Sequence, residues 1–62
     1  MGRKIRTIRT SKGLTLDQLS KLSGVSKSRL SDLENGIGSP TMRTLQKIAK
    51  ALRVSVEDLL DY

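Results

Sequence analysis

The chain contains neither cysteine nor histidine. Those absences remove a disulfide framework, a thiolate nucleophile, an imidazole base and a zinc site built from the usual ligands. Long apolar runs are missing too. None approaches the roughly 18 residues of a membrane span, and no apolar segment follows the basic N-terminal stretch, as it would in a signal peptide. No glycine-rich phosphate loop follows a strand, and the acidic residues have no ligand cluster to work with. Neither catalysis, nor a cofactor, nor a metal, nor a membrane partner is therefore expected. A small domain without covalent staples suits a reducing interior, so the expected setting is soluble and cytoplasmic.

Acidic residues are scarce relative to basic ones. Twelve Lys and Arg stand against six Asp and Glu, a net charge of +6. The excess is uneven: Arg3, Lys4, Arg6, Arg9 and Lys12 open the chain without an acidic neighbour, whereas Glu57, Asp58 and Asp61 cluster at its end. A basic helix taken alone reads equally well as a solvated face or as a phosphate-facing one. Chain length sets a further bound. The 62 residues give room for a single domain, 1–62, hiding only about 60% of its unfolded surface, with a small core and modest stability.

What is present is helical periodicity punctuated by caps. Glycine and proline gather in Gly36-Ile37-Gly38-Ser39-Pro40, which reads as a loop with Ile37 tucked inward. Around it, five helices are predicted. The first covers about 2–12, with Ile5 and Ile8 inward. The second covers about 16–23, with Leu16, Leu19 and Leu22 on one face, and the third about 27–35, with Leu30 and Leu33 inward and Asn35 and Gly36 as its stop. The fourth begins near Pro40 or Thr41, capped either by Ser39 or by Thr41, and carries the stripe Met42, Leu45, Ile48, Ala49 and Leu52. A short fifth helix follows the cap Ser55, with Val56, Leu59 and Leu60 apolar and Glu57 and Asp58 in its first turn.

The segment 16–35, LDQLSKLSGVSKSRLSDLEN, has the grammar of a helix-turn-helix, and that grammar names double-stranded DNA as the partner. Gly24 supplies the left-handed turn, Val25 wedges between the helices, and Ser26 caps the second of them. Thr15 caps the first, with Gln18 completing a reciprocal capping box. If Leu30 and Leu33 face the core, Ser28 and Asp32 point away, with Lys27 and Arg29 on the flanks. Those four form the base-reading set. Lys27 and Arg29 can address guanine O6 and N7, and Ser28 either kind of base edge. Asp32 either accepts from a cytosine amino group or orients Arg29 or Lys27. The orienting role is preferred, because Asp32 lies one turn beyond Arg29. Ser26, Asn35, Thr41 and Arg43, at helix ends or in the flanking loop, are the expected phosphate contacts. Asn35 reads equally well as a plain helix terminator.

Taken together, KGLT, GVSKSRLS, LENG and SPTMRTLQKIAKAL resemble the helix-turn-helix family of the phage lambda-type and Cro-type repressors, over residues 5–60. The resemblance implies an all-α, five-helix bundle of the lambda-repressor-like type. It further implies a third helix that enters the major groove, and a homodimer on a near-palindromic operator. It also implies that Arg9 and Glu34 form a partly buried structural ion pair. Two positions depart from the family pattern. Arg53 stands where glycine often closes the fourth helix, and Leu16 where a polar residue often reaches a phosphate. The function expected is a transcriptional repressor. The alternative is an antitoxin or restriction-modification controller-type protein whose main partner is another protein, with DNA binding for autoregulation. Apolar residues of the fifth helix and Tyr62 are the candidate interface in either case, and a homodimer seam is the preferred use.

Overall fold

A computed structural model describes residues 2–60. It has α1 (Gly2–Ser11), α2 (Leu16–Ser23), α3 (Lys27–Glu34), α4 (Met42–Leu52) and α5 (Val56–Leu59), and no strand among the described residues. The described residues are all-α, in the five-helix order that the resemblance implies. Tyr62, one end of the predicted interface, lies outside the described residues.

Local chemistry explains most of the boundaries. The Thr15 hydroxyl accepts from the Gln18 amide at 3.1 Å and the Gln18 side chain accepts from the Thr15 amide at 2.8 Å, a reciprocal cap that starts α2. Gly24 ends it with φ 75°, and nothing lies within 4 Å of where its Cβ would stand. Glycine is needed there for its backbone conformation and not for space. Ser26 caps α3 by accepting from the Arg29 amide at 3.2 Å. The open choice at α4 resolves to Thr41, whose Oγ1 accepts from the Thr44 amide at 3.2 Å. Ser55 and Asp58 box the start of α5 at 3.3 and 3.0 Å. Arg53 follows α4 at φ 60°, ψ 43°, in the left-handed region usually left to glycine.

The core is ten apolar side chains drawn from all five helices and the turn. Ile5, Leu19, Leu30, Ile48, Leu52 and Leu59 are fully buried, and Val25, Leu33, Leu45 and Ala49 nearly so. Each large one is worth about 1.5–3 kcal/mol of transfer free energy. Through them α2 packs on α3 and α4, α1 on α3 and α5, and α4 on α5, in a body of 25 × 21 × 19 Å.

Three apolar residues predicted to face inward do not. Leu22 is 60% exposed, Ile37 57% and Met42 59%. At about 100° per residue, steps of three drift around the helix, so Leu16 and Leu22 fall about 60° to either side of Leu19. Leu16 packs against the core, and on that same flank, about 40° from Leu19, Ser23 is buried, its Oγ accepting from the Val25 amide at 3.2 Å, whereas the opposite flank, which carries Leu22, is left to solvent. The Ile37 amide closes α3 by donating to the Asp32 carbonyl at 2.8 Å, which holds Ile37 beside an exposed residue. Met42 belongs to the first turn of α4, ahead of Leu45, where the buried stripe begins.

Candidate nucleic-acid interface

Because Leu30 and Leu33 anchor α3 in the core, their opposite face is presented to solvent. Lys27, Ser28 and Asp32 are exposed there, and Arg29 is half-buried. The Lys27 ammonium stands 3.4 Å from Asp17 Oδ1 in the first turn of α2, and both side chains are well exposed. Such a pair is worth little and exchanges readily for another anion.

Arg29 does not pair with Asp32, contrary to the preferred expectation for that carboxylate. Its Nη2 donates to the Ser39 carbonyl at 3.0 Å, and its Nη1 stands 3.3 Å from where a Cβ on Gly38 would be. An exposed pair along a helix contributes only a few tenths of a kcal/mol, which a charge-assisted bond to a backbone carbonyl exceeds. Asp32 makes no ion pair among the described residues, and its carboxylate stays at the surface.

The four predicted phosphate residues sit at the ends of α3 and α4. Ser26 and Thr41 are the N-caps of those helices, Asn35 follows α3 as its C-cap, and Arg43 lies in the first turn of α4; all four are exposed. Neither helix has an acidic residue in its first turn, whereas α2 has Asp17 and α5 has Glu57 and Asp58. The positive ends of the α3 and α4 dipoles are thus left uncompensated, the condition under which a helix start favours an anion. This charge signal was present in the chain and adds to the reading of caps alone.

Arg9 and Glu34 tie α1 to α3. Arg9 Nε donates to Glu34 Oε2 at 2.6 Å and Nη2 to Oε1 at 3.0 Å, with side chains only 11% and 6% exposed. Nη1 donates to the Leu14 carbonyl at 2.7 Å, so the same guanidinium also fastens the α1–α2 connection. Hydrogen bonding to Glu34 raises the Arg9 pKa above its ordinary value, outweighing the opposing effect of burial. The Leu14 and Ser39 carbonyls escaped the reading of side chains because every residue carries such a group. The one available hint was Gly38, whose missing Cβ leaves room for Arg29.

A capped helix, a left-handed glycine and a second helix held on buried leucines with its polar side outward define a helix-turn-helix fold. The chain belongs to the helix-turn-helix family, whose profile matches residues 5–59. It is similar to the HTH-type transcriptional regulators SlrR and SinR of Bacillus subtilis, with 42% and 39% identity over 62 residues. These alignments take in 98% of the chain but only 41% of SlrR and 56% of SinR, so the chain spans about half the length of these relatives or less. A crystal structure of SinR in complex with DNA superposes with TM-score 0.89 at 41% identity, covering 97% of both chains. The restriction-modification controller protein C.AhdI of Aeromonas hydrophila superposes at TM-score 0.92 and 32% identity, covering 95% of this chain and 89% of that one. The family is one of transcriptional regulators and not of enzymes.

Proposed function

We propose that the chain is a sequence-specific, double-stranded DNA-binding regulator, a repressor, that lays α3 in the major groove and acts as a cytoplasmic homodimer. The observation that carries this reading is the exposed polar ridge of Lys27, Ser28 and Asp32 above buried Leu30 and Leu33. Lys27 addresses guanine O6 or N7, Ser28 a neighbouring base edge, and Asp32 a cytosine amino group. Ser26, Thr41 and Arg43, at helix starts with no acidic residue in the first turn, and Asn35, at the C-cap of α3, hold the flanking phosphates. Half-buried Val54, Val56 and Leu60 supply the dimer seam. Selection of bound sequences from random duplexes tests the whole reading. A symmetric motif with half-sites about 34 Å apart is expected, and equal recovery of all sequences refutes it.

A second reading, a restriction-modification controller-type protein, is favoured by the near-complete coverage of C.AhdI, 89% of whose chain is matched. Under it the essential partner is a protein, and DNA binding serves autoregulation. A stoichiometric protein partner recovered with the tagged chain from its native cells, together with an operator at its own promoter, would select this reading over the first.

A further inference from the structure

We infer that Arg29 is a positioning residue that clasps the α3–α4 loop, and not a reader of bases. The inference rests on the DNA-binding reading above. Arg29 belongs to the first turn of α3, beside Lys27 and Ser28, yet it alone of the three is half-buried. Its fork is turned onto the loop, with Nη2 donating to the Ser39 carbonyl ten residues further on, at 3.0 Å. Gly38 suits this approach through its left-handed backbone, and with a side chain there the guanidinium would have to give way by a few tenths of an ångström. It has φ +73°, and a Cβ there would stand 3.3 Å from Arg29 Nη1, closer than ordinary van der Waals contact.

The loop has little else to hold it. The Ile37 amide is the last to bond back to α3, and the next tie is the Thr41 cap of α4. Between them, residues 38–40 make no backbone–backbone hydrogen bond among the described residues, so the bond from Arg29 is the tie across the middle. On either side of this span lie Asn35 and the pair Thr41 and Arg43, the groups proposed to meet phosphates. A loop held in one shape sets the distance between those groups before DNA arrives, and the entropy of ordering them is not lost on binding. Arg29 therefore acts on DNA through the loop. Its removal weakens every duplex alike and leaves the choice between sequences to Lys27, Ser28 and Asp32.

The test compares Arg29→Ala with Lys27→Ala. Dissociation constants are measured on a selected operator and on a random duplex, with single phosphates replaced in turn by neutral methylphosphonates. Backbone order parameters of Gly38, Ser39 and Thr41 are measured without DNA. Arg29→Ala is expected to lower affinity for both duplexes by a common factor of up to about tenfold, the scale of one charge-assisted hydrogen bond. Penalties for neutralising the phosphates nearest the loop should shrink, those elsewhere should persist, and the order parameters should fall from near ~0.85 toward ~0.6 or below. A merely destabilised fold would not redistribute those penalties selectively. Lys27→Ala should instead reduce the ratio between the duplexes. Loss of preference at a single base pair in Arg29→Ala, unchanged affinity for both duplexes, or an unchanged loop would each overturn the assignment. Should the wild-type protein show no preference among duplexes, the proposed function fails, and the loop measurement still decides whether Arg29 is a clasp.

Discussion

Replacing Glu34 with alanine tests the tie between α1 and α3 most directly. The carboxylate accepts two bonds from Arg9, at 2.6 and 3.0 Å, and both side chains are nearly closed off from water. Without it, the guanidinium keeps its bond to the Leu14 carbonyl but stays in a site with no anion. Stranding a buried partner costs about 3–5 kcal/mol. In a body whose smallest extent is 19 Å, water lies close to every residue, so the lower end, about 3 kcal/mol, is expected. For a domain of this size that corresponds to a fall in Tm of roughly 12–24 °C, readable by circular dichroism. Replacing both partners with apolar residues of similar volume, Arg9→Met with Glu34→Leu, should restore much of the loss, because no charge is then left unpaired. The Arg9 pKa is raised, so its pairing contribution is complete below the ordinary arginine range. It is lost only as pH rises through the still higher folded value, and no decline from Arg9 is expected at neutral or mildly alkaline pH. A Glu34→Ala protein that melts within a few degrees of wild type would refute the argument.

Other outcomes follow from single features. Arg53→Gly relieves a left-handed backbone at φ 60° and should raise stability by about 0.5–1 kcal/mol in denaturant titrations, the gain being limited by glycine's greater freedom when unfolded. Thr15→Ala removes the capping box of α2 and should cost about 1 kcal/mol; an unchanged midpoint would contradict that role. Leu22→Gln, at an exposed position, should change stability by no more than about 0.5 kcal/mol, whereas a loss of several would return Leu22 to the core. Arg43→Ala should weaken selected and random duplexes alike and reduce the slope of log affinity against log salt by about 0.9, the contribution of one phosphate.

The sequence by itself determined most of the helix boundaries, the start of α4 excepted, because those decisions are local. Thr15, Ser26 and Ser55 cap amides within three residues of themselves, and Gly24 turns the chain through its own backbone freedom. The buried pair Leu30 and Leu33, and hence the outward polar ridge of α3, follow from the same short-range periodicity. The partnership of Arg9 with Glu34, 25 residues apart, was legible only through resemblance to a family. Tertiary structure decided the rest. It buried Ser23 and left Leu22 outside, chose Thr41 over Ser39 as the cap of α4, held Ile37 and Met42 at the surface, and gave Arg29 to the Ser39 carbonyl in place of Asp32. A helical period states which residues share a face but not how far a neighbouring helix covers it. The partner of a long polar side chain is likewise set by which backbone oxygen the packed helices bring within reach.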